Sequence, residues 1–158
     1  MKFTDGQWLL RPGVTASYAT EAHTLTAEPG RLVVHAPVRP IRHRGDTLQG
    51  PLLTVTLSSP LEGVVRVRIE HFTGGLERGP VIPLEASEQA TVAIAEESES
   101  ATLASGGLTV RVKKPGWELS FEAGGRVLTR SGGRGIGYIQ ADGGKNFVHE
   151  QLALAVGE

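Results

Sequence analysis

A chain of 158 residues with sixteen basic and seventeen acidic side chains fits one domain around one hydrophobic core, and a formal net charge of -1 gives no field for a nucleic-acid backbone or an anionic membrane. Cysteine is absent, which removes disulfides, cysteine-ligated zinc or iron–sulfur centres and a thiol nucleophile. Glycine contributes 21 of the 158 residues and proline nine, against an average of roughly 7% for glycine, a composition suited to many short strands joined by turns.

The opening "MKFTDGQWLLRPG" has Thr4, Asp5 and Gly6 where a signal peptide needs apolar residues, and no apolar stretch of about eighteen residues follows it. A soluble, cytoplasmic chain is the expectation. Alternating apolar and polar residues, β-branched enrichment and Gly/Pro/Asp/Ser boundaries then predict about ten strands. They are "TLTAE" (24–28), "RLVVHAPV" (31–38), "LLTVTLSS" (52–59), "GVVRVRIEHF" (63–72), "QATVAIA" (89–95), "LTVRVKK" (108–114), "WELSFEA" (117–123), "RVLTR" (126–130), "IGYIQ" (136–140) and "FVHEQLALAV" (147–156). The acidic run Glu96, Glu97, Ser98, Glu99 reads as a solvated turn. Pro115-Gly116 and Gly124-Gly125 are the tight connections of a three-stranded meander. Half-apolar antiparallel strands bury one face each, so the fold class is all-β, an antiparallel β-sandwich in a single domain, 1–158. The ending "EQLALAVGE" is apolar and well patterned, without the polar tail common at domain termini. It suggests a chain cut from a longer one.

Within "GVVRVRIEHF", Val65, Val67, Ile69 and His71 share one face, while Val64, Arg66, Arg68, Glu70 and Phe72 share the other. The apolar set is expected to face the core. Arg66, Arg68 and Glu70 could recognise a carboxylate or pair across strands, and the structural reading is preferred. His71 suits either a general base or a hydrogen-bonded histidine at a strand end. The other histidines, His23, His35, His43 and His149, have no partner at ligand spacing. No metal site is expected.

"RPIRHRGD" (39–46) gathers Arg39, Arg42, His43 and Arg44 and ends in Arg-Gly-Asp. Without interleaved aromatics it is no single-strand nucleic-acid groove, and it reads as a docking or solvated loop. "SGGRGIGY" (131–138) does not fit a phosphate-cradling fingerprint and opens a strand. Asp5, Asp46 and Asp142 are the only aspartates, and none announces the carboxyl pair of a glycosidase. Phe3, Trp8, Tyr18, Phe72, Trp117, Phe121, Tyr138 and Phe147 are candidate sugar platforms for a carbohydrate-binding module. Some of them must fill the core, and Trp8 and Trp117 read first as packing anchors.

Longer stretches carry more. "MKFTDGQWLLRPG", "PLLTVTLSSPLEGVVRVRIEHFTGGLERGPVIPL" (51–84) and "FVHEQLALAVGE" together resemble the N-terminal domain of bacterial α-xylosidases of glycoside hydrolase family 31. The most specific part is the Arg-Ile-Glu-His-Phe strand followed by Gly-Gly-Leu, Gly79-Pro80 and Pro83-Leu84. The resemblance implies a galactose-mutarotase-like supersandwich, truncated before a catalytic (β/α)₈ barrel that would supply both catalytic aspartates. The family's nucleophile signature places a tryptophan two residues before the aspartate, whereas Leu10 and Leu119 follow Trp8 and Trp117 at that spacing. No catalytic, cofactor-binding or metal residue is therefore assigned to this chain. The implied parent is a retaining α-glycosidase that releases terminal α-linked xylose from oligosaccharides without a cofactor. The fragment's implied partners are its own barrel and, through an exposed barrel-facing surface, a second copy of itself. An independent carbohydrate-binding module and a structural or oligomerisation domain are the alternatives.

Overall fold

A computed structural model describes residues 3–5, 9–48, 50–71 and 90–153. Fourteen strands are described, β1 (Thr4–Asp5), β2 (Leu9–Leu10), β3 (Thr15–Tyr18), β4 (Thr24–Glu28), β5 (Arg31–Pro37), β6 (Leu52–Leu61), β7 (Val64–His71), β8 (Ala93–Glu96), β9 (Ser100–Ser105), β10 (Leu108–Lys113), β11 (Glu118–Ala123), β12 (Arg126–Ser131), β13 (Ile136–Ala141) and β14 (Lys145–Glu150). The described helical structure is a 3₁₀ turn, Arg44–Leu48, and no described helix is long and apolar enough to cross a membrane. Every pairing is antiparallel: a β1–β2 ribbon, a four-stranded sheet β4–β5–β6–β7, a five-stranded sheet β12–β11–β10–β9–β8 and a three-stranded sheet β14–β13–β3.

The two larger sheets are meanders whose period-2 pattern turns one apolar row inward. Leu32, Val34 and Ala36 of β5 and Leu53, Val55 and Leu57 of β6 share a cluster with Leu103, Val110, Val112 and Leu119 of the facing sheet, all of them buried. Trp117, 1% exposed, fills one end, and Ile136 and Tyr138 bring the small sheet into the same core. An all-β sandwich results, as the alternation predicts. Residues 124 and 125 turn with φ of 57° and 75°, the left-handed pair that a two-residue hairpin favours and glycine allows. Pro60 sits where the β6–β7 register shifts between Ser58 and Leu61, since a residue without an N–H is tolerated at a bulge.

Several element boundaries differ from the sequence-based reading. The strand expected at 89–95 begins at Ala93, and the acidic run divides: Glu96 closes β8, while residues 98 and 99 bend. After the bend comes β9, which the reading missed. Its sequence, Ser-Ala-Thr-Leu-Ala-Ser, holds small residues with little intrinsic β preference, and pairing to β8 and β10 on both sides makes it a strand. The last strand starts earlier and ends at Glu150, and its predicted continuation through 154–156 lies outside the described residues. Phe72 and Trp8 also lie outside them.

The connection between β3 and β4 positions the candidate site. Residues 19–23 cross one end of the sandwich and bond alternately to all three sheets or their turns. Ala19 N–H donates to Ile136 O, Thr20 N–H to Pro37 O, Ala22 N–H to Lys114 O and His23 N–H to His35 O, while Thr20 O accepts from Trp117 N–H. Five backbone groups of this short segment are thereby paired across the end of the sandwich.

Candidate functional site at one end of the sandwich

The charged strand separates as alternation requires. Val65, Val67 and Ile69 are half-buried against the core, and Arg66, Arg68 and Glu70 are exposed. Cross-strand pairing places Glu70 beside Thr54, His35 and Thr24, and Arg68 beside Thr56, Val33 and Thr26. Arg68 bonds Glu70 along its own strand at 2.8 Å, and Thr24 Oγ1 lies 2.9 Å from His35 Nδ1. This hydroxyl-rich outer face is wet and self-paired. His71 turns inward and stacks on Tyr138, with ring centroids 4.1 Å apart. It is a packing residue on the core face.

Polar groups converge instead where the crossing segment meets loop 38–51. Glu21, between two buried alanines, is 8% exposed. Its Oε1 accepts the Ile41 N–H at 2.9 Å and its Oε2 accepts Arg42 Nη1 at 2.8 Å, with His23 Nδ1 at 3.4 Å. Burial pushes its carboxyl up, but the Ile41 N–H, Arg42 and His23 outweigh burial and hold it below the usual carboxylate range. Asp46 closes the same loop by accepting the backbone N–H groups of Arg42 and His43 at 2.8 and 3.0 Å. Those two donors hold its carboxyl low against desolvation, helped by the charges of His43 and Arg42. The aspartate of Arg-Gly-Asp is thus engaged in its own turn.

An open groove of about 670 Å³ runs beside this loop, lined by Thr20, Glu21, His23, Arg42, Glu99 and Lys114 among others. Lys114 Nζ bonds Glu96 Oε1 at 2.8 Å and the Glu97 carbonyl at 2.6 Å, so both cations of the groove are matched by anions. Sequence reasoning placed Arg42 and His43 in one loop but missed Glu21, which lies 20 residues from its backbone partner. The only local signal was a lone acid between Thr20 and Ala22.

A second network crosses the outer face of the five-stranded sheet. Arg111 Nε donates to Glu122 Oε1 at 3.2 Å, Arg111 Nη1 to Ser100 Oγ at 3.3 Å, and Ser120 Oγ to Glu122 Oε1 at 2.8 Å. The Ser120 hydroxyl, then Arg111 and Arg130, lower the Glu122 carboxyl against the opposing effect of burial. Its members satisfy one another.

The described aromatics are packing residues. Trp117 and Tyr138 are buried and Phe121 packs on the core; Phe147 meets Phe3 with centroids 5.3 Å apart, and Tyr18 meets His149 edge-on at 6.2 Å. Tyr18 and His149 flank Gly137, where a Cβ would lie 2.8 Å from Tyr18 Cδ1. The glycine loop before β13 is the expected turn, closed by Gly135 N–H on Gly132 O. Among the described residues no three His, Asp or Glu side chains gather as a metal site requires.

No family model matches the chain. It is 33% identical over 148 positions to the alpha-xylosidase of Emericella nidulans, covering 88% of this chain and 19% of that protein. To alpha-xylosidase XylQ of Lactiplantibacillus pentosus it is 32% identical over 160 positions, covering 100% of this chain and 21% of that protein. The chain spans about one fifth of the length of these curated relatives. Its fold is similar to part of the cycloalternan-forming enzyme of Listeria monocytogenes, solved with a pentasaccharide substrate, with a TM-score of 0.59, 12% identity, and 80% of this chain and 11% of that one covered. A protein solved from the same organism, titled lmo2446, gives the same values.

Proposed function

This chain belongs to glycoside hydrolase family 31 as a homologue of about one fifth of its α-xylosidases, and we propose that residues 1–158 form the non-catalytic N-terminal sandwich of a larger retaining α-glycosidase. The parent releases terminal α-linked xylose from oligosaccharides, and the sandwich packs against and supports the catalytic part. The observation that carries this reading is a match along essentially the whole chain that reaches only a fifth of the α-xylosidases.

The engagement of the carboxylates supports it. A retaining enzyme needs two carboxyl groups about 5–5.5 Å apart across a sugar, one as nucleophile and one as acid and base. Glu21 and Asp46 are committed to a loop, Glu122 to Arg111 and Ser120, Glu96 to Lys114, and Glu70 to Arg68. Each of these five holds structure together, which supports a catalytic pair supplied by the rest of the parent. A cytoplasmic location is part of the proposal, and recovery of the native protein in a secreted fraction would overturn it.

The test is a chromogenic α-xyloside offered to the whole native protein and to the purified 158-residue chain. Hydrolysis by the first and none by the second is expected. Turnover by the short chain refutes the non-catalytic assignment, and an inactive whole protein refutes the parent's activity.

A further inference from the structure

We propose that loop 38–51, which carries Leu48 and, four residues earlier, Arg44, is the seat by which this domain docks on the remainder of the larger glycosidase; the proposal rests on the reading above and goes beyond it by naming the surface. Leu48 is 84% exposed, more than any other large apolar side chain described. A leucine on a slack loop would mean little, but this loop is tied across its base by Val38 N–H on Pro51 O at 3.4 Å and braced through residues 41–47. Ile41 and Arg42 are fixed on the buried Glu21, the Arg42 and His43 N–H groups on Asp46, Gly45 N–H on His43 Nδ1 at 3.1 Å, and Thr47 Oγ1 on Arg44 O at 2.8 Å.

Such bracing keeps an apolar side chain in water at a set position, where it gains nothing for the isolated chain. It removes ordering entropy that docking would otherwise cost. The Arg44 guanidinium, the neighbouring cation, makes no ion pair among the described residues, whereas Arg42 is matched by Glu21 and Lys114 by Glu96. An exposed leucine and an unmatched arginine in one fixed turn have the composition of an interface anchor. It fits an apolar socket bordered by a carboxylate. The relatives supply a place for that socket, since about four fifths of their length lies beyond the matched segment. Leu61, 55% exposed on the β6–β7 hairpin at the opposite end of β6 and held there by Ser59 Oγ on its carbonyl at 2.7 Å, is the control: an exposed leucine on a fixed turn with no cation of the 38–51 loop near it in sequence.

The experiment uses the whole native protein. Its mass comes first: a product no larger than this chain removes the parent and the proposed occupant together. In a larger product, Leu48→Asp and Arg44→Glu are compared with Leu61→Asp by calorimetry and by sedimentation across a concentration series. The expected result is that the two loop variants split one unfolding transition into two, the sandwich melting apart from the rest, while Leu61→Asp leaves a single transition. Because Leu48 is exposed, the sandwich's own transition stays cooperative in the variant, which separates lost docking from lost folding. A single transition in all three proteins overturns the proposal while leaving the parent reading intact. Loss of oligomers in the loop variants without a split transition also overturns it, and assigns the loop to a second copy.

Discussion

Replacing Glu21 tests the central feature of this end of the fold, a buried carboxylate that fixes a loop 20 residues away. Glu21→Ala removes the acceptor of the Ile41 N–H, a hydrogen bond to a charged group and therefore worth about 1.5–3 kcal/mol. The Arg42 contact weighs less, because that side chain is 67% exposed against 11% for Glu21; solvent limits it to about 1 kcal/mol or below. Together the loss is about 2–4 kcal/mol, which for a chain of this size lowers the melting temperature by roughly 4–16 °C. Glu21→Gln keeps an oxygen for Ile41 and loses the charge, so about 1–2 kcal/mol is expected. The pH dependence follows from the direction of the shift. A carboxyl held below its ordinary value of 4.5 contributes stability that is fully present above that value and is lost as pH falls through the lower, folded one. Urea titrations at neutral pH and near pH 3 therefore show the parent and Glu21→Gln apart in the first and converging in the second. Refutation is a Glu21→Ala chain that melts within about 1 °C of the parent at pH 7, or a gap to Glu21→Gln that persists undiminished in acid.

Other substitutions probe packing at single atoms. Gly137→Ala puts a methyl 2.8 Å from Tyr18 Cδ1 and 3.1 Å from the Ser17 carbonyl, so a cost of about 1–3 kcal/mol is expected from overpacking, read by denaturant midpoint; an unchanged midpoint would show that the Tyr18–His149 pair yields freely. Ser131→Ala removes a fully buried hydroxyl without a partner and raises stability by about 1 kcal/mol, whereas a loss would reveal a bond to that oxygen. Trp117→Ala empties a site that is 1% exposed and costs about 3–5 kcal/mol; a chain stable without the indole would not have its core where we place it. Arg66→Ala, on the exposed row, changes stability by less than about 0.5 kcal/mol, and a larger loss would expose a structural partner for that guanidinium.

The sheets were legible wherever burial on one face forced alternation. β4 has the predicted bounds of 24–28 and β5, β7, β10 and β11 agree to within a residue or two; the latter four each carry an apolar row that a one-residue slip would expose. β9 was not legible, since alanine and serine hide which face is inward until two neighbours pair with them. Nor was β3, four residues long, whose place is set by β13 and by the missing side chain at Gly137. The Glu21 brace was illegible for a different reason. It depends on Thr20 lying against Pro37, and only then does the next residue meet Ile41.

These cases share one geometry, and it explains why the most chemically suggestive stretch is structurally plain while a bland one organises the candidate site. Successive residues on one face of a strand stand about 7 Å apart and point in parallel, so Arg66, Arg68 and Glu70 can pair in line but cannot surround anything. Convergence requires chain segments arriving from different directions. Residues 19–23 touch all three sheets or their turns, which aims Glu21 at a loop from a different sheet connection and brings Lys114 and Glu99 to the same groove. Recognition by this domain is therefore to be sought at the loop end of the sandwich. There the polar groups are already fixed and Leu48, 84% exposed, stands on a braced loop, and charge reversal along β7 should leave the whole protein's single unfolding transition intact in calorimetry where Leu48→Asp splits it in two.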